Sequence, residues 1–270
     1  MALWHLLLLA VLQGVTEFLP ISSSGHLILL PALTGLADQG PFLDVAVHVG
    51  TLGAVVLYFR ADVATALRGA VGLVRRRWGP EERLAAGLVV ATVPVILAGL
   101  LIKLTIGTDV LRSVTLIGWT TLGFGLLLWW FDSRGAQVKQ VRDWTLGDAI
   151  RLGLWQAVAL IPGTSRSGIC ITGARAMGYT REDGARIAML MSIPTIMASG
   201  ILLGLEVAGE ANGLLAREGA IAAAFAFLAA LAALHLMMRL LRSVSFTPYV
   251  IYRVILGTGL LVYAYVFAGR

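Results

Sequence analysis

Gln13-Gly-Val-Thr-Glu-Phe-Leu-Pro-Ile-Ser-Ser-Ser-Gly-His26 decides the fold, because it sets a glutamate, three serines and a histidine between two apolar runs. The run before it, residues 3–12, is only about 15 Å long as a helix. The run after it, residues 27–36, is no longer. A bilayer core is about 30 Å thick, so neither run crosses alone. Gly14, Pro20 and Gly25 weaken or end a helix between them. These features predict a re-entrant hairpin: helix in, polar turn at depth, helix out. Irregular backbone at that depth is tolerated only where protein buries it or a watery cavity adjoins it. Polar side chains there are costly and mark function.

The rest of the chain agrees with a membrane setting. Of its 270 residues, 58% are hydrophobic and only 13% charged, and mean hydropathy is +0.86. Soluble domains carry roughly 25% charged residues. The net charge of +6 does not point to nucleic acid, because the arginines stand at the ends of apolar spans. Cys170 is the only cysteine, which excludes an internal disulfide and a cysteine metal cluster. No basic n-region or A-x-A pattern marks the first residues as a removed signal peptide.

Six full spans are expected, at about residues 45–59, 84–104, 113–131, 185–205, 220–241 and 248–267. An amphipathic segment at 63–74 should lie along the surface in an arginine-rich loop. Pro94 and Pro194 can kink their spans. Ahead of the fourth span the opening pattern returns. A short apolar run at 152–160 leads into Ile161-Pro-Gly-Thr-Ser-Arg-Ser-Gly168, and a second short run follows. At one constant offset Gln13 falls on Gln156, Val15 on Val158, Ser22 on Ser165, Ser24 on Ser167 and Gly25 on Gly168. The fold class expected is therefore an all-α polytopic membrane protein with an inverted-topology repeat. It has two re-entrant helical hairpins plus six full transmembrane helices in a single membrane domain, 1–270. Repeat one spans about 1–131 and repeat two about 146–270. Three full spans per half is odd, so one half sits upside down relative to the other. The loops after the first, third and fifth spans are the basic ones and are expected in the cytoplasm. The first hairpin then enters from the outside and the second from the cytoplasm, flanked by Arg151, Arg175, Arg181 and Arg186.

The two tips carry the chemistry. Gln13 and Glu17 are one turn apart on one helix face. Glu17 can activate a nucleophile or hold a divalent cation; its plainer reading is an interfacial carboxylate. Ser22, Ser23 and Ser24 offer hydroxyls and backbone N–H groups at a helix start, where plain N-capping is also common. His26, one turn after Ser23, can carry a proton or simply pack. Arg166, between Ser165 and Ser167, suits a phosphate clamp; it could instead neutralise Glu17. Together they make an inventory for phosphoryl transfer. His48 is expected to pack.

These residues resemble the undecaprenyl-diphosphate phosphatases, the bacitracin-resistance proteins. Gln13-x-x-x-Glu17, running on through Phe18-Leu-Pro-Ile-Ser-Ser-Ser-Gly-His26, is similar to one family motif. Pro162-Gly-Thr-Ser-Arg-Ser167 is similar to the other, and Phe246-x-Pro248-x-x-x-Tyr252-Arg253 extends the match. Cys170 departs from the family's usual threonine, and Gln13 removes one metal carboxylate. The resemblance implies hydrolysis of undecaprenyl diphosphate to the monophosphate, a step of lipid-carrier recycling for peptidoglycan. It implies Ser23 as attacker, with Glu17 and His26 handling protons or the cation and Arg166 holding the diphosphate. Gln13, Ser22, Ser24, Gly163, Ser165 and Ser167 would complete the substrate site. The cation would be Mg²⁺ or Ca²⁺, with Glu17 as ligand. The location implied is the bacterial inner membrane, with the site facing the periplasm. The partners are the lipid substrate, the bilayer and, as one assembly left open, a second copy in a homodimer. The rival class is an inverted-repeat transporter or flippase of a phosphorylated lipid or anion. The acid phosphatase superfamily of lipid phosphatases fits less well, since no histidine lies between Arg166 and His235.

Overall fold

The computed structural model describes residues 3–23, 25–27, 30, 35, 39–105, 113–207, 209 and 213–267. Ser24 and most of the run expected at 27–36 lie outside them. Among the described residues the chain is helical, with one isolated parallel bridge between Lys139 and Tyr179. Helix α1 covers Leu3–Phe18, α2 Pro41–Tyr58, α3 Arg60–Val74, α4 Pro80–Thr105 and α5 Val114–Arg134. After a turn at Val141–Asp143 come α6 at Leu146–Ala157, α7 at Arg166–Ala176, α8 at Arg181–Val207, α9 at Gly213–Leu240 and α10 at Thr247–Val262. Among the described residues, six helices are long and apolar enough to cross a membrane: α2, α4, α5, α8, α9 and α10, the last extended to Val266 by a π turn. The surface segment expected at 63–74 is α3.

Helices α1, α6 and α7 are shorter. At 1.5 Å per residue α1 reaches about 24 Å and α7 about 17 Å, less than a bilayer core. The run expected to stop at residue 12 continues through Gly14 to Phe18. Tertiary packing overrides the glycine there. A Cβ on Gly14 would come within 2.6 Å of the Ala226 carbonyl of α9, so the bare backbone lets the two helices close up. Gly153 of α6 approaches Ala91 of α4 in the same way, at 2.7 Å.

The packing crosses between the halves of the chain. Helix α1 lies on α9, α6 lies on α4, α2 lies on α9 and α8, and α5 lies on α10. Phe18, Leu128, Ile169, Ile187, Leu190 and Phe246 belong to one apolar core, and Leu6, Leu9, Val47 and Ala226 to a second. Arg175 is fully buried where α5, α7 and α8 meet. Its guanidinium donates to Asp132 Oδ1 at 3.1 Å and to the carbonyls of Asp132, Gly135, Ala136 and Tyr179. Arg181 donates to the same Asp132 oxygen at 2.7 Å, and Arg186 pairs with Asp62. Three of the arginines predicted only to flank the second hairpin therefore also tie its ends to α3 and α5.

Candidate active site

Glu17 sits at the centre. Close packing of α1 on α9 turns Gln13 and Glu17 inward, leaving Gln13 fully buried and the Glu17 side chain 5% exposed. Beyond α1 the chain turns at Leu19–Ile21 and brings Ser23 back against the helix end. Ser23 Oγ donates to Glu17 Oε2 at 2.7 Å, and Gln13 Nε2 donates to the same oxygen at 2.8 Å. From the other tip, an Nη of Arg166 donates to Glu17 Oε1 at 2.6 Å. His48 of α2, expected to pack, places Nε2 3.7 Å from Glu17 Oε2, with Nδ1 2.7 Å from the Asp44 carbonyl. Among the described residues, the second guanidinium nitrogen, Arg166 Nη1, is buried with no hydrogen-bond partner, and so is Gln13 Oε1. An unmade bond on a buried charged group is costly, so both atoms are poised for something that binds.

The tips are built alike. Ser22 and Ser165 both adopt positive φ, 75° and 71°, which L residues rarely do. Their hydroxyls accept from Gly25 N at 3.3 Å and Gly168 N at 3.1 Å, each capping the helix that follows. These are the residues paired by the sequence offset. Ser165 Oγ lies 3.1 Å from Ser167 Oγ, which donates across to the Leu19 carbonyl at 3.0 Å. Two serines expected to donate to phosphate thus cap and join the tips. Gly163, at φ 86°, offers its carbonyl to Arg253 at 3.1 Å.

Arg253 holds the arrangement together. It is fully buried and donates to the carbonyls of Pro20 at 3.2 Å, Gly163 at 3.1 Å and Thr121 at 3.0 Å. One rigid fork of donors therefore spans both tips and α5. A lone arginine in the apolar last span was the signal that could have singled it out. His26 is engaged at both nitrogens. Nδ1 lies 2.6 Å from the Ser22 carbonyl, and Nε2 meets the Tyr252 hydroxyl, with the two rings stacked. A carbonyl partner assigns the proton to Nδ1, so Nε2 accepts from Tyr252. Cys170 is buried and turns toward Gln156 of α6, 3.9 Å away, while Thr172 Oγ1 donates to the Gly168 carbonyl.

Among the described residues, no three His, Cys, Asp or Glu side chains group as a metal cage. Glu17 and the unpartnered Gln13 Oε1 are the oxygens at hand. Such a pair fits Mg²⁺, which keeps several waters and is commonly held by one or two protein oxygens plus substrate phosphates.

A family model described as bacitracin resistance protein BacA matches residues 6–259. The chain belongs to this family. It is 69% identical to the undecaprenyl-diphosphatase of Ruegeria pomeroyi over 98% of this chain and 100% of that relative. It is 64% identical to the undecaprenyl-diphosphatase of Dinoroseobacter shibae over the same shares. The one from Saccharophagus degradans is 45% identical over 96% of this chain and 97% of its own length. Membership of the BacA family spans nearly the whole chain, so both tips fall within the match.

Proposed function

We propose that this protein is an integral membrane phosphatase that hydrolyses undecaprenyl diphosphate to undecaprenyl phosphate. The observation that carries the proposal is one carboxylate joining Ser23 to Arg166, with Arg166 Nη1 left open for a ligand. Relatives across the full length carry the matching name. The terminal phosphate takes Arg166, replacing part of its contact with Glu17. Glu17 keeps Ser23 oriented through Oε2 and accepts its proton. Ser23 Oγ attacks the terminal phosphorus, the P–O–P bridge breaks, and undecaprenyl phosphate departs with the bridging electron pair. Water then cleaves the phosphoserine and frees inorganic phosphate. His26, bonded to the Ser22 carbonyl and the Tyr252 hydroxyl, orients the helix start that follows Ser23. When bound, a Mg²⁺ or Ca²⁺ held by Glu17 and Gln13 supplies charge neutralisation at the diphosphate.

The same reading takes each tip as the turn of a re-entrant hairpin and the halves 1–131 and 146–270 as inverted repeats in one membrane domain. Its support is the matched positive-φ serines, the matched caps and the crossed packing. The arginine-rich loops support an orientation with the site toward the periplasm of an inner membrane. A homodimer is compatible with this plan. Purified protein in detergent should release phosphate from a long-chain polyprenyl diphosphate. Unchanged release by Ser23→Ala and Arg166→Ala would end this mechanism. Binding without release would favour a flippase.

A further inference from the structure

Helices α3 and α4 form a tight hairpin away from the active site. Leu67, Val71 and Val74 share one face of α3 and are 64%, 52% and 85% exposed; Trp78 in the turn is 60% exposed. Between the helices lies a cavity of about 410 Å³ whose wall includes Leu67, Val71, Arg75, Arg77 and Glu82. Across it Arg68 pairs with Glu81 at 3.0 Å. Among the described residues Arg75, Arg76, Arg77 and Glu82 have no ion-pair partner. Three arginines against two glutamates leave the cavity wall one charge positive.

The turn itself is unusual. Helix α3 ends at Val74, Arg76 N donates to the Leu73 carbonyl at 3.0 Å, and Arg77 N donates to the Gly72 carbonyl at 2.9 Å. This is a Schellman ending, and its left-handed position normally takes glycine. Here that position is Arg76, at φ 55°. The chain accepts an unfavourable conformation and keeps three consecutive arginines beside an exposed apolar strip.

We propose that this hairpin seats a singly anionic phospholipid headgroup with free hydroxyls, of the phosphatidylglycerol type. The phosphodiester lies between Arg75 and Arg77 and balances the one-charge excess of the cavity wall. The glycerol hydroxyls donate to Glu82, and the acyl chains follow Leu67, Val71 and Val74. A phosphate-bearing headgroup above acyl chains matches the order of charge and apolar surface along the hairpin.

The test uses the full-length protein in detergent, titrated with phosphatidylglycerol, phosphatidylethanolamine or phosphatidylcholine and read by native mass spectrometry of retained lipid. Phosphatidylglycerol should be retained over both others. Arg75→Gln with Arg77→Gln is the decisive variant, because both side chains line the cavity; Arg76→Gly, which suits the turn and leaves the fold intact, is its companion. Arg76→Gly should weaken phosphatidylglycerol retention about fivefold, and Arg75→Gln with Arg77→Gln by about fivefold per arginine. Glu82→Gln should narrow the margin over phosphatidylcholine. Equal retention of the three lipids, preference for phosphatidylethanolamine, or full phosphatidylglycerol retention by both arginine variants would overturn the proposal. Phosphate release in detergent should be the same in all variants, which separates this test from that of the phosphatase reading.

Discussion

At the scale of single residues, Glu17 has more partners than a carboxylate ordinarily keeps: Gln13 and Ser23 on one oxygen, Arg166 on the other and His48 close by. In the proposed mechanism Arg166 carries the largest share of phosphate binding. Arg166→Lys keeps the charge but loses the planar fork, and should lower kcat/KM about 10²-fold; Arg166→Ala should lower it about 10³-fold or more. Steady-state phosphate release checks both, and near-equal rates for Lys and Arg would remove the bidentate role. Ser23→Ala should abolish a trapped phosphoenzyme at a stability cost of about 1–3 kcal/mol, since it removes one bond to a buried carboxylate that keeps Gln13 and Arg166. Cys170 allows a sharper contrast. It faces Gln156, away from Glu17, so Cys170→Thr should leave turnover within about twofold. Sequence spacing was enough to put Gln13 and Glu17 on one face. It could not place His48, because a histidine in an apolar span reads the same whether it packs or faces a carboxylate on another helix.

At the scale of elements, short half-helices are held where they are by buried polar ties. Arg253 contributes three well-formed bonds to backbone carbonyls of Pro20, Gly163 and Thr121. Arg253→Lys cannot reach all three from one ammonium. Each carbonyl left dry costs about 1–3 kcal/mol, so the variant should lose activity together with more stability than Ser23→Ala, which gives up a single bond. Loss of activity without any change in the melting curve would argue against the stitch. The surface end of α6 carries a second tie. Asp148 accepts from the Tyr179 hydroxyl at 2.9 Å and from Lys139 at 3.2 Å. Burial would raise its carboxyl, but Tyr179 and Lys139 outweigh burial and hold it below the usual range. The folded value lies under the unfolded one, so this stabilisation is complete above the unfolded value and is lost as pH falls through the folded one. Melting temperature should therefore drop more steeply below about pH 4 in the unaltered protein than in Asp148→Asn. Parallel curves would show that the tie is not ionic. The sequence marked the polar stretches at 13–26 and 161–168 but not these ties, because a tie depends on which backbone carbonyls converge, and spacing carries no record of that.

At the scale of the whole molecule, the halves interlock. Gly14 meets α9 and Gly153 meets α4, so the first helix of each half finds its closest partner in the other half. The apolar runs of the six long spans were legible to within about four residues except at the start of α9, which begins seven residues before the expected 220, and the constant offset between the tips pointed to their common build. Which helix would lie on which was not legible, since lipid-facing and helix-facing apolar residues look alike in composition. The crossed packing has a direct consequence. Expressed alone, 1–140 would leave Leu6, Leu9, Ala10 and Gly14 of α1 without Ala222 and Ala226, and Glu17 without Arg166. A buried ion pair stripped of one partner costs about 3–5 kcal/mol, comparable to the whole stability of a small domain. The segment 141–270 alone would leave α6 without α4. Each half expressed by itself should therefore be degraded or aggregate, whereas the two co-expressed should co-purify and recover phosphate release. Size-exclusion chromatography and limited proteolysis read the outcome. A single half that elutes as a monodisperse, protease-resistant species would mean that each repeat closes its own core, and that the contacts across the halves are secondary to the fold.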